Sequence, residues 1–183
     1  MHQRASLLFL VLLLLCLAGN AKTDRLRPLK FELYLDSDND VFLRPMHRDQ
    51  DYTFGEMLGL RKWSDQKKFF PFFSNSLSQV HQFEIGLKGF TPKYKAWDFD
   101  PQDPTDRPFA GWLYGEYSQL YSFENRFTII GLQIGSVGPN ARMGELQNWY
   151  HTSLRLGQFI EGWETQIPNI WGVNLIAFDK RIL

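Results

Sequence analysis

Gln147 and His151 are the residues whose types and spacing most directly suggest chemistry. They lie four positions apart in the sequence GELQNWYHTSL, residues 144–154. Side chains four positions apart share a face of an α-helix. An imidazole acts as a general base near neutral pH, and an adjacent amide fixes its tautomer or holds a water molecule. The pair is therefore a catalytic candidate, and a structural histidine beside a chance glutamine is the alternative.

A second candidate is the oxygen-rich sequence DSDND, residues 36–40. Carboxylate and amide oxygens are the ligands that Ca²⁺ prefers. The stretch lacks the glycine and the distal glutamate of an EF-hand loop, and a solvated turn has the same composition. On the residues alone, a metal site and a solvated turn both remain open. The sequence DYTFG, residues 51–55, adds a carboxylate and the Thr53 hydroxyl at an ordinary strand start.

The N-terminal segment predicts export. Arg4 precedes an apolar run over residues 7–18, which ends in small residues up to Ala21. This is the pattern of a secretory signal peptide, and the run is short for a membrane helix of about 20 residues. We expect a signal peptide over residues 1–21 and one domain over residues 22–183, with an uncleaved anchor as the alternative.

Composition narrows the class of the exported domain. The chain has 20 basic and 20 acidic residues, which gives no reason to expect a nucleic-acid partner. Its one cysteine, Cys16, lies in the signal peptide, so no disulfide is expected in the exported part. Aromatic residues make up 16% of the chain. A secreted β-protein and an outer-membrane barrel both fit these features.

Six segments have the alternation or the glycine-rich aromatic pattern of β-strands of about ten residues, the length of a tilted membrane-spanning strand. In the second segment, Tyr52, Phe54, Leu58 and Leu60 are expected on one face, which Glu56 interrupts. The six segments are residues 29–40, 51–63, 82–90, 109–120, 126–138 and 172–182.

One segment, residues 141–157, has helical rather than strand spacing. Gly157 is a plausible stop for this helix. A helix between two strands places the Gln147–His151 pair in a loop of a β-protein. The residues that recur at helical spacing are Leu146, Trp149, Tyr150, Ser153 and Leu154.

An ordered set of motifs, running from residue 31 to about residue 179, resembles the outer-membrane lipid A 3′-O-deacylase family (the LpxR family). The motifs are NDVF, DQDYTFG, TP, DRPFAGWLY, GSVGP, GELQNWYH, GWETQI and GVNL. The resemblance implies an all-β fold, an antiparallel transmembrane β-barrel of the outer-membrane type with twelve strands. About six strands, half of that barrel, are present here, with one short helix in an extracellular loop.

The resemblance also implies a function. It implies Ca²⁺-dependent hydrolysis of the ester-linked acyloxyacyl chain at the 3′ position of lipid A, with a histidine as general base. The partners would be lipid A or lipopolysaccharide and the other lipids of the cell outer membrane. By motif, the catalytic residues are His151, Gln147 and Asn39, and the metal ligands are Asp40 and Thr53.

Two positions depart from the family pattern. A lysine is expected in the long loop, at about Trp97, where this chain has Lys93 and Lys95 nearby but out of register. An acidic residue is expected near Gln158, and Glu161 follows it within a few residues. The charged residues of the site are therefore not those of the family pattern at these two positions.

The family's barrel continues for about six strands beyond the GVNL motif. An open half-barrel leaves strand edges unpaired in lipid. A fragment of a longer product is favoured over a half-barrel that closes by self-association and over a decayed relative. The main functional alternative is therefore a truncated, inactive outer-membrane protein with a structural or lipid-binding role. A soluble periplasmic β-sandwich is a weaker one.

Overall fold

Within the part of the chain that the structure describes, six antiparallel strands form one sheet, in the same order as they occur in the chain. The computed structural model describes residues 30–39, 51–64, 73–92, 106–154 and 159–182. A helix, α1, spans Met143–Leu154 between the last two strands. The prediction of six strands and one loop helix is therefore confirmed. The strands are β1 Phe31–Asn39, β2 Asp51–Ser64, β3 Ser78–Thr91, β4 Ala110–Ser122, β5 Arg126–Val137 and β6 Ile170–Arg181.

One face of the sheet is apolar along the middle of every strand. The register places Leu35 opposite Leu58, Leu58 opposite Ile85, and Ile134 opposite Val173. These side chains are half or more exposed. A band of exposed apolar side chains on one face of an antiparallel sheet is the pattern of the outer wall of a membrane barrel. We call this surface the apolar face.

The opposite surface, the polar face, carries a hydrogen-bonded network. The two carboxylate oxygens of Glu84 accept hydrogen bonds from the hydroxyls of Tyr34, at 2.6 Å, and Tyr114, at 2.8 Å. The two tyrosine rings lie over glycines of the neighbouring strands. A Cβ added to Gly86 would lie 2.2 Å from Cζ of Tyr114, and Gly59 has the same relation to Tyr34. Glycine is therefore needed at both positions.

The side chain of Tyr52 lies on the opposite face from the predicted one, because β2 contains a β-bulge. The pairing of β2 with β3 shifts between Tyr52 and Phe54, so that Thr53 is an extra residue in β2. The bulge changes the alternation, and Tyr52 lies over Gly55 on the polar face. The expectation that Tyr52 and Phe54 share a face was wrong, because strict alternation does not allow for an inserted residue.

The buried residues of α1 are only partly those that recur at helical spacing. Met143 and Gln147 are buried, whereas Trp149 is 56% exposed and Ser153 is exposed. Leu146 and Tyr150, which do recur at that spacing, pack against the buried cluster. No helix within the described ranges is long and apolar enough to cross a membrane.

Candidate active site

Helix α1 packs closely on the apolar face at one end of the sheet. The side chain of Met143 lies over two glycines of adjacent strands, Gly89 in β3 and Gly111 in β4. A Cβ at Gly111 would lie 2.7 Å from Cβ of Met143. The two glycines thus allow a close approach between the helix and the sheet, and any larger residue would push α1 away.

A buried cluster of hydrophobic side chains fills the space between α1 and the sheet. Phe109 and Met143 have no exposed surface, and the partly buried Leu87, Leu146 and Tyr150 pack against the cluster. Burial of a large apolar side chain contributes about 1.5–3 kcal/mol, so these contacts hold the helix in place. The buried members are Phe54, Phe109, Met143, Ile160 and Trp163.

Tyr150 ties α1 to the first two strands. Its ring packs edge-on against Phe54, with the centroids 5.7 Å apart, and its hydroxyl donates to Oε1 of Glu56 at 3.1 Å. The same oxygen accepts from the hydroxyl of Ser37 at 2.8 Å. Burial, with the neighbouring charge of Glu56, raises the pKa of Tyr150. Glu56, which interrupts the apolar pattern of β2, is therefore an anchor for the helix.

Gln147 is 1% exposed and is held at one end of its amide. Its Oε1 accepts a hydrogen bond from the indole Nε1 of Trp163 at 2.7 Å. Its Nε2 has no hydrogen-bond partner in the part of the chain that the structure describes. Buried amide nitrogens normally have an acceptor, so this one marks a place where an acceptor from outside the described residues fits.

Trp163 lies in a 3₁₀ helix, Glu161–Thr165, and is fixed by close packing. A Cβ at Gly144 would lie 2.6 Å from Cγ of Trp163, so the indole rests directly on the backbone of α1. The ring of Phe109 packs against it with the centroids 5.0 Å apart. The indole therefore has little freedom to turn away from Gln147.

Thr53 is buried at the bulge of β2. Its Oγ1 lies 2.8 Å from Oγ1 of Thr91, which has no exposed surface. The next residue, Phe54, belongs to the cluster beneath α1. The structure thus brings Thr53 to the same end of the sheet as Gln147.

The positions of His151 and Asn39 are known from the elements in which they lie. His151 lies in the last turn of α1, one turn after Gln147, and is half-buried. Asn39 ends β1, where its backbone pairs with Phe54. Asp40 lies outside the described residues, as do the positions of Trp97 and Gln158. Glu161 is exposed in the 3₁₀ helix.

The side-chain oxygens near the bulge are of the type that binds hard cations. Thr53 and Thr91 place two hydroxyl oxygens 2.8 Å apart, and oxygen atoms are the kind of ligand that Ca²⁺ prefers, whereas Zn²⁺ prefers nitrogen and sulfur. No group of three or more histidine, cysteine or acidic side chains is close enough to hold a metal within the described ranges. The predicted carboxylate ligand, Asp40, lies beyond the end of β1 in a segment that the structure does not describe.

Sequence reasoning missed several residues of this end of the sheet. Trp163 and Thr91 carried no signal beyond their place in quoted motifs, because their partners are distant in the chain. Tyr150 was expected only as an apolar helix position, and Glu56 only as an interruption of β2. A single charge in an otherwise apolar alternation was the signal that a polar partner lies on that face.

Comparisons with known proteins agree with this architecture. A family model described as outer membrane protein LpxR matches residues 7–183. The structure of LpxR from Salmonella typhimurium superposes with a TM-score of 0.59 at 20% sequence identity, covering 81% of this chain and 50% of that chain. The chain thus spans about half the length of the solved structure that it matches. No curated protein matches the chain at a significant level. Because the family model covers nearly the whole sequence, the chain belongs to the LpxR family of outer membrane proteins.

Proposed function

We propose that the protein is a Ca²⁺-dependent lipid A 3′-O-deacylase of the outer membrane, which hydrolyses the ester of the 3′-linked acyloxyacyl chain. One observation carries the proposal. Helix α1, which bears Gln147 and His151, packs over Gly89 and Gly111 on the apolar face, and its buried cluster includes Phe54, the residue after Thr53. A membrane lipid reaches the apolar face directly from the bilayer, whereas the polar face suits a water-filled interior.

His151 is the proposed general base. It takes a proton from water as the water oxygen forms a bond to the ester carbonyl carbon. When the ester C–O bond breaks, the proton passes from the imidazolium to the leaving alcohol oxygen. The fatty acid and the deacylated glycolipid are the products, and no oxidant or further reactant is needed.

The other predicted residues bind and orient. Gln147 and Asn39 are proposed to orient the water or the ester, and Asp40 and Thr53 to hold Ca²⁺ through oxygen atoms. When bound, the cation supplies positive charge that stabilises the negative oxygen developing on the ester carbonyl. The hydroxyl oxygens of Thr53 and Thr91 lie 2.8 Å apart and either can be the donor, so the pair brings two oxygen atoms together where a cation would need them.

Mass spectrometry of lipid A tests this function. The full chain is expressed in the outer membrane of a bacterium that lacks the activity, with Ca²⁺ or with a chelator. We expect loss of the 3′ acyloxyacyl group only with Ca²⁺. A general base contributes about 10²–10⁴-fold, so His151→Ala should abolish the loss. His81→Ala is the matched control, because His81 lies in β3 and hydrogen-bonds to Tyr117.

Unchanged lipid A, despite folded protein in the outer membrane, would contradict the proposal that the protein is an enzyme. That result would favour the alternative, an inactive relative that binds lipid or has a structural role. Equal loss of activity in His81→Ala and His151→Ala would contradict the assignment of His151 as the base.

Self-association is a further part of the proposal. Among the described strands, β1 pairs only with β2 and β6 only with β5. Unpaired strand edges are costly in hydrocarbon, so each edge is expected to pair with more polypeptide, a second copy being one source. Light scattering in detergent measures this directly, and a purely monomeric protein would rule out the second copy.

A further inference from the structure

Gln147 Nε2 stands apart from the other unpartnered buried atoms of the structure. Six buried side-chain atoms lack a hydrogen-bond partner within the described ranges, and five of them are oxygens of serine or glutamine. Nε2 of Gln147 is the sixth and the one nitrogen. An amide nitrogen only donates, so its missing partner must be an acceptor.

The orientation of this amide is determined by Trp163. An indole Nε1 is a donor and never an acceptor, so the atom of Gln147 that faces it at 2.7 Å must be the oxygen. The amide is planar, and fixing its oxygen therefore fixes the direction of its two N–H groups.

Trp163 is itself unable to move freely. It is 5% exposed, it rests on Gly144 of α1, and Phe109 packs against its ring. The direction of the Gln147 N–H groups is consequently set by packed side chains. Preorganised donors of this kind stabilise charge that develops in a transition state, because they need not reorient during the reaction.

We propose that Trp163 is a positioning residue for Gln147, and that it holds the amide so that Nε2 donates to the carbonyl oxygen of the bound ester. A carbonyl oxygen only accepts, and it is the complement that the buried donor lacks. The inference rests on the proposed ester hydrolysis. It adds the atom of Gln147 that contacts the substrate and the residue that aims it.

Two variants separate the roles. Trp163→Phe removes the indole N–H and keeps an aromatic ring against Phe109. Gln147→Glu removes the amide donor but keeps an oxygen that accepts the hydrogen bond from Trp163. It also tests the Nε2 contact if Trp163→Phe fails to fold. Trp149→Phe is the matched control, because Trp149 is exposed on the same helix.

The first measurement is the infrared carbonyl band of bound substrate. Lipid A with a ¹³C-labelled 3′ ester carbonyl is added to the full chain carrying His151→Ala, which binds without hydrolysis. We expect a band shifted to lower wavenumber in this protein and in its Trp149→Phe derivative. The shift should be lost in the Trp163→Phe and Gln147→Glu derivatives. The same band in all four proteins would overturn the inference.

The second measurement is kinetic. Loss of one preorganised donor lowers kcat by about 10²-fold, with KM little changed. Because Trp163 acts through Gln147, the double variant should be no slower than Gln147→Glu alone. Losses that multiply in the double variant would show that Trp163 acts independently and would refute the inference.

The two proposals fail in different ways. If the wild-type chain neither binds the labelled ester nor releases fatty acid, the proposed function fails and the inference fails with it. If the wild-type chain binds and hydrolyses the ester but Trp163→Phe keeps the shifted band, the inference alone fails.

Discussion

Two polar arrangements on opposite faces of the sheet use the same kind of contact and differ in how completely they are satisfied. On the polar face, both oxygens of Glu84 are occupied by tyrosine hydroxyls, from Tyr34 and Tyr114. On the apolar face, Trp163 occupies the oxygen of Gln147, and the nitrogen has no partner among the described residues. Both arrangements pair an aromatic donor with a side-chain oxygen.

This difference distinguishes polar side chains that stabilise the fold from polar side chains that are available to bind a ligand. A network whose members satisfy one another stabilises the fold and offers little to a ligand. A buried donor left open carries a cost that a ligand can remove, and such exceptions call for a specific explanation. By this criterion the Glu84 network supports the wall, and the Gln147 amide is assigned to the proposed binding site.

The largest expected effect on this comparison comes from Phe109→Ala. Phe109 is fully buried and packs against Trp163, so truncation should cost about 3–5 kcal/mol and loosen the site while the Glu84 network stays intact. Denaturant unfolding in detergent measures the stability, and tryptophan fluorescence reports the site. Leu175→Ala, at an 85% exposed position of β6, should change the stability little. Equal effects of the two variants would contradict the prediction.

Gly86→Ala should act on the polar face alone. The new Cβ would lie 2.2 Å from the ring of Tyr114, and overpacking of this kind costs about 1–3 kcal/mol. Tyr114 would have to leave Glu84, but deacylation should persist in the protein that folds. Gly115→Ala is the control, because no atom lies within 4 Å of its added Cβ. Loss of activity in folded Gly86→Ala would show that the polar face takes part in the reaction.

The smallest effect is expected for Tyr150→Phe, which removes the hydrogen bond to Glu56 at a cost of about 1 kcal/mol. Because the folded state raises the pKa of Tyr150, the hydroxyl stabilises the fold below its ordinary pKa of about 10. That contribution is lost as the pH rises through the raised value. Unfolding measured from pH 8 to pH 11 should therefore lose stability more steeply in the wild type than in Tyr150→Phe. Parallel curves would contradict the assignment.

The sequence was sufficient for the strands and the helix, because each is a local pattern of period two or 3.6. It also placed Gln147 and His151 one turn apart, since helical spacing depends only on neighbours in the chain. It could not predict the bulge at Thr53, which reverses the expected face of Tyr52. The contact from Trp163 to Gln147 was equally out of reach, because it joins segments that meet only in the folded protein.

Glu56 indicates how deep the site lies in the bilayer. We expect a carboxylate held by Ser37 and Tyr150 at the level where water begins. Leu58 lies two residues, or about 7 Å, further along β2, and we expect its exposed apolar side chain in the hydrocarbon. In a lipid, ester groups lie at the boundary between the headgroup and the acyl chains. The side chain that anchors the helix therefore also places the proposed site at the level of a lipid's ester groups, and the proposed hydrolysis would not require the lipid to leave its leaflet.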